Sequence, residues 1–124
     1  MTEQDLLTDR IVDAAIEVHR HLGPGRLESA YEECLCQELA ASGMQYKRQV
    51  TLPIQYKGHP VETGFRADII VEEQVLIELK AVANFLPVHE AQILTFLKLS
   101  GHRRGLLMNF NVMSMKNGIR RFVV

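Results

Sequence analysis

The chain has 124 residues, 47% of them hydrophobic, the size and composition of one domain over residues 1–124 around a single core. Its 14 Lys and Arg residues nearly cancel its 15 Asp and Glu residues, so no global positive field draws in a polyanion and any such affinity has to come from local patches. The stretch Met1 to Arg10 is polar and acidic without an apolar signal core, and no run approaches the roughly 18 apolar residues that span a bilayer, which excludes a membrane span and reads as cytoplasmic.

Leu7, Ile11, Ala15, Val18 and Leu22 recur at helical steps and predict a first helix, ended by Gly23-Pro24-Gly25. Leu27, Tyr31, Leu35 and Leu39 line a second helix that stops near Ser42-Gly43, so the two are expected to form a hairpin. Cys34 and Cys36 lie about 200° apart on that helix, which rules out a local disulfide; they read as reduced thiols, Cys34 packing as a small apolar residue.

The period then changes. Val50, Leu52, Ile54 and Tyr56 alternate with polar residues, Lys57-Gly58-His59-Pro60 has turn chemistry, and Val61 resumes a strand. Ala67 to Val71 and Val75 to Lys80 flank Glu72-Glu73-Gln74 and read as central strands. Pro87 opens a helix with Ile93, Leu94, Leu97 and Phe96 toward the core, Gly101 closes it, and Gly105 to Phe110 and Ile119 to Val124 read as two more strands. The order is α-α-β-β-β-α-β-β, an α/β or α+β domain with a central sheet.

The Val75 to Lys80 strand is apolar except for Glu78 and Lys80, which alternate to one side. If the hairpin turns through three residues, Asp68 lies opposite Glu78 with Cβ atoms about 5 Å apart. Asp68, Glu78 and Lys80 then share one face, while Ile69, Val71, Val75, Ile77 and Leu79 share the other. A one-residue slip would destroy this arrangement. Two crowded carboxylates call for a cation. Mg²⁺ meets that need with oxygen ligands and retained water, and Lys80, about 7 Å along the strand from Asp68's partner, is placed to orient or deprotonate an attacking water. Phosphodiester hydrolysis fits such a set.

Gly25-Arg26-Leu27-Glu28-Ser29-Ala30-Tyr31 resembles the signature of the GxxExxY proteins, a bacterial and archaeal family placed within the PD-(D/E)XK nuclease superfamily. The similarity continues in order through Val18-His19, Leu22-Gly23-Pro24-Gly25, Tyr56-Lys57-Gly58, Asp68, Ile77-Glu78-Leu79-Lys80, the Gln92 helix and Leu106 to Phe110. It implies a restriction-endonuclease-like αβββαβ core with a mixed sheet flanked by helices, dependence on Mg²⁺ or Mn²⁺, and a nuclease acting on DNA or RNA. By this resemblance Asp68 and Glu78 are metal-binding acids, Lys80 is the catalytic lysine, and Glu28 is a further metal-binding acid from the first core helix. Gln92, a further member of the implied catalytic set that could contact the metal-bound water or a phosphate, begins what relatives usually write as Q-x-x-x-Y, here ending in Phe96 without the hydroxyl. His19 and Tyr31 are accessory candidates.

His21, His59, His89 and His102 have no metal-ligand spacing. Lys47-Arg48, Arg103-Arg104 and the group Lys116, Arg120, Arg121 are local basic patches that could meet phosphates. Met108, Met113 and Met115 suggest packing or a patch for a homo-oligomer. The alternative to a hydrolase is a noncatalytic module of the same fold that binds nucleic acid or a protein partner, favoured by the neutral charge and Phe96.

Overall fold

The computed structural model describes residues 2–124; Met1, the first residue of the polar opening stretch, lies outside them. Helices α1 (Glu3–Leu22) and α2 (Glu28–Ala41) come first, followed by strands β1 (Tyr46–Tyr56), β2 (His59–Val71) and β3 (Val75–Lys80). Helix α3 (Pro87–Ser100), strand β4 (Arg104–Asn109), a short 3-10 turn (Met115–Gly118) and strand β5 (Ile119–Val123) complete the chain. The predicted order of elements is the observed one. Among the described residues no helix is long and apolar enough to cross a membrane.

The five strands form one mixed sheet in the order β1-β2-β3-β4-β5. Neighbours pair antiparallel except β3 and β4, which run parallel because α3 returns the chain across the sheet between them. Two apolar layers follow. The α1–α2 hairpin covers one side of the sheet, with Ile11, Tyr31, Leu35 and Leu39 packed on Ile69, Ile77, Leu106 and Met108. On the other side Ile93, Phe96 and Leu97 of α3 pack on Ile70, Leu76 and Leu107. Burial on both sides explains why Val75 to Leu79 is buried throughout. A Cβ at Gly105 would meet Leu97 Cδ1 at 3.0 Å and Ile93 Cδ1 at 3.2 Å, so the absence of a side chain lets α3 lie close to β4.

Helix ends follow local chemistry. Thr2 caps α1 by accepting from Asp5 N–H while Asp5 accepts from Thr2 N–H, and Gly101, left-handed, closes α3. Two sequence expectations change in detail. Leu27 caps α2 from an exposed position instead of joining its buried stripe. Cys34 does pack against the core, partly buried, but it is Cys36 that is fully buried, and burial pushes its thiol up to about 11.

Tyr31 fastens the turn between the helices. Its hydroxyl donates to Gly23 O at 2.6 Å and accepts from Arg26 N–H at 3.1 Å. Its ring stacks on Phe110 with centroids 4.5 Å apart. Gly25 between these partners sits at φ +89, where a side chain would be strained. The glycine and tyrosine of the Gly25-to-Tyr31 motif thus position the start of α2, which carries Glu28. Tyr31→Phe keeps the ring but strips Gly23 O of its donor and Arg26 N–H of its acceptor. We expect a loss of about 1–2 kcal/mol, read as a lower urea midpoint; an unchanged midpoint would show that the latch does not hold the turn.

Candidate active site

Strands β2 and β3 pair only through Ile69↔Ile77, Ile70↔Leu76 and Val71↔Val75. The turn between them is the three-residue one, with Glu72 and Glu73 at φ 52 and 56 and Gln74 N–H donating to Val71 O. That register brings Asp68 opposite Glu78, and there side chains replace the ladder. Asp68 N–H donates to Glu78 Oε1 at 3.2 Å, and Leu79 N–H donates to Asp68 Oδ2 at 2.7 Å. Each acid holds a backbone group of the opposing strand. The strands fork around the two carboxylates, and each carboxylate keeps a second oxygen without a backbone donor.

Strict alternation would turn Asp68 toward α3, away from Ile69. The structure corrects that expectation. Ala67 packs on the α3 side and Ile69 on the α1–α2 side, so two residues of equal parity face opposite ways and the alternation breaks at Asp68. Strand β1 breaks at the same level: adjacent Arg48 and Gln49 both bond Glu32 of α2, while Val50 packs toward α3. Gln49 accommodates the break at φ 53, a conformation costing a non-glycine residue on the order of 1 kcal/mol or more. The kink turns Asp68 toward α2 in the same cleft as Glu28 and Glu32.

Glu28 is exposed on the first turn of α2, and Glu32, one turn later, is 9% exposed. Glu32 Oε2 accepts from Arg48 Nη2 at 2.7 Å and Nε at 3.1 Å, and Oε1 accepts from Gln49 Nε2 at 2.7 Å. Its charge is therefore matched within the protein. Glu32 and Glu33 together hold the Arg48 guanidinium above its ordinary range.

Asp68 and Glu78 lack such compensation. Burial pushes the Asp68 carboxyl up and the charges of Glu32 and Glu28 add to the effect, against the Leu79 N–H and Lys80. Burial and then the Asp68 charge push Glu78 up to about 8. Lys80 is half-buried at the end of β3, and its ammonium favours the charged form of both acids. Asn109, paired with Lys80 across the sheet, holds the chain there: its amide accepts from Val82 N–H and donates to Val82 O, while Phe110 N–H donates to Lys80 O. The lysine is thus anchored where β3 leaves the sheet.

The other candidates lie apart from this cluster. His19 is buried and its Nε2–H donates to Val112 O at 2.7 Å. Tyr31 directs its hydroxyl to the helix turn. Gln92 is exposed on α3 and hydrogen-bonds none of the acids, and the Phe96 ring packs edge-on against Phe65 in the core. The basic patches are largely paired: Lys47 with Glu73, Arg104 with Asp5, Arg120 with Glu90 and Arg121 with Asp9.

A family model described as the PD-(D/E)XK nuclease superfamily matches residues 5–122. The chain belongs to that superfamily. The match stands at this level and not at that of the GxxExxY family within it, and it agrees with the α+β, restriction-endonuclease-like fold and the helical hairpin. No curated protein and no solved structure matches significantly. In this nuclease-superfamily domain Asp68 and Glu78-Leu79-Lys80 supply an acid followed by an acid-x-lysine, at one end of a shared fork.

Two charged cleft residues were not singled out from sequence, Glu32 and Arg66. Glu32 lies one helical turn after Glu28, and Arg66 lies one strand period before Asp68; both spacings were visible signals. Only the packing shows that these positions face the fork.

The pH dependence follows from the raised acids. Native Glu78 keeps its proton to higher pH than the unfolded chain does, so from about pH 4.5 to about 8 the native state binds more protons and stability falls as pH rises, levelling above that window. In EDTA the melting temperature of the wild type should drop by several degrees across it, while Glu78→Gln should flatten the curve and melt higher at pH 8. Parallel curves for the two proteins would contradict the buried-acid account.

Proposed function

We infer that the protein is a divalent-metal-dependent nuclease that hydrolyses phosphodiester bonds of DNA or RNA. The observation that carries this reading is the reciprocal bonding of Asp68 and Glu78 at the fork, which crowds two half-buried or buried acids beside a single lysine.

The donor set suits Mg²⁺ or Mn²⁺. It consists of oxygen atoms only, from two carboxylates whose burial opposes their own ionisation, with Glu28 as a further acid in the cleft that Asp68 lines. Among the described residues no three His, Cys, Asp or Glu side chains form a ready-made metal cluster. When bound, such an ion supplies Lewis-acid polarisation of a phosphoryl oxygen and makes water more acidic.

The chain's own groups supply the rest. Asp68 and Glu78 act as ligands, each held rigid by the backbone bond it accepts. As an ammonium Lys80 orients the attacking water and its positive charge stabilises the negative charge that develops on the phosphoryl oxygens; in its neutral form it would instead take up the water's proton. Water forms the new bond to phosphorus as the bond to the ester oxygen breaks; the water's proton passes to a neutral Lys80 or to solvent, and the leaving oxygen takes a proton from solvent water. The cytoplasm, with its supply of Mg²⁺, is the compartment this reading expects.

A noncatalytic module is the second reading, favoured by Phe96 sitting in the core where no phenolic hydroxyl reaches the cleft. Incubation with single-stranded and duplex DNA and with RNA, in Mn²⁺ and in EDTA, separates the two. We expect metal-dependent cleavage that falls at least about 100-fold in Lys80→Ala, and calorimetric Mn²⁺ binding that disappears in Asp68→Ala. Equal cleavage by wild type and Lys80→Ala would remove the enzymatic reading; absence of Mn²⁺ binding would leave the module.

A further inference from the structure

Arg66 differs from the other arginines of the strands. Arg48, Arg104, Arg120 and Arg121 each form an ion pair with a carboxylate. Arg66 forms no ion pair and no side-chain hydrogen bond among the described residues, although it is exposed and lines the same cleft of about 240 Å³ as Glu28, Glu32 and Asp68. Among the described residues it is the one cation in the lining of that cleft.

Its placement is set by the sheet. Arg66 precedes Asp68 by one strand period and pairs across β1 with Thr51, and its neighbours Phe65 and Ala67 pack toward α3. Arg66 therefore emerges on the α2 side together with Asp68, about 7 Å away along the strand. Beyond the fork β3 no longer pairs with β2, and the Arg66 side chain is exposed there.

We propose that Arg66 binds a backbone phosphate of the nucleic acid, next to the one that reacts at Asp68 and Glu78, and so sets the position of the strand over the acids. The proposal rests on the nuclease reading above. A guanidinium presents paired N–H donors that match two phosphate oxygens, and its charge offsets the repulsion that Glu28 and Asp68 exert on an incoming polyanion. The separation of Arg66 from Asp68 is comparable to the step between consecutive phosphates on one strand. Because the contact is to the backbone, it confers placement without base preference.

The test measures anisotropy of fluorescently labelled single-stranded DNA, duplex DNA and single-stranded RNA across a KCl series. It is made in Mg²⁺ and in a Lys80→Ala background that suppresses cutting. Adding Arg66→Ala should weaken binding roughly tenfold and make the slope of log K against log salt shallower by about 0.7–0.9. Arg66→Lys should restore the slope while recovering only part of the affinity. With Lys80 intact, Arg66→Ala should raise KM more than it lowers kcat, and the melting temperature should stay near that of the wild type because the side chain is exposed. An unchanged affinity and slope in Arg66→Ala, with the parent protein binding and the wild type cutting, would overturn the role of Arg66 alone. A parent protein that binds none of the three probes, together with a wild type that cuts none of them, would overturn both this role and the nuclease reading.

Discussion

The site depends on one exchange of hydrogen bonds. At the step where β2 and β3 would continue their ladder, Asp68 accepts from the Leu79 backbone and Glu78 accepts from the Asp68 backbone. Two carboxylates take the place of a strand pairing and are held where their charges repel. Removing acids from water costs several kcal/mol unless a countercharge is at hand, and Lys80 alone does not match two acids joined by Glu28. A strand fork of this kind is poorly balanced as a purely structural element.

Much of the surrounding architecture serves to keep that fork in place. The tight turn through Glu72 and Glu73 fixes the register, and the apolar pairs Ile69–Ile77 and Val71–Val75 lock it by burying one side of the hairpin under α1 and α2. Asn109 secures the chain beyond Lys80. Tyr31 secures the turn that starts α2 and therefore the approach of Glu28. The histidine and tyrosine that accompany the acids in sequence thus contribute by fastening backbone: His19 through Val112 O and Tyr31 through Gly23 O.

Charge is arranged locally, as near-neutral composition requires. On the strands Lys47, Arg48, Arg104, Arg120 and Arg121 are matched to acids, while Arg66 and Lys80 form no ion pair among the described residues. Glu32 shows the contrast within the cleft itself. It is as buried as Glu78, yet Arg48 and Gln49 satisfy its oxygens, whereas Asp68 and Glu78 have only backbone donors and one lysine.

The order of helices and strands, the register of the β2–β3 hairpin and the proximity of Asp68 to Glu78 were legible in the sequence, because apolar periodicity and turn chemistry act over a few residues. The face on which Asp68 lies was not. It depends on a break in alternation shared by β1 and β2 at Gln49 and Asp68, and nothing local to either strand announces it. The same holds for Glu32 and Arg66, whose spacing is ordinary until α2 is laid against the kinked strands. Gln92, legible as a motif position, is exposed because α3 directs Ile93, Phe96 and Leu97 to the core instead. By itself the sequence determined which residues can carry charge into a buried strand; tertiary packing decided which way each one faces, because side-chain direction at a kink is set by contacts between elements distant along the chain.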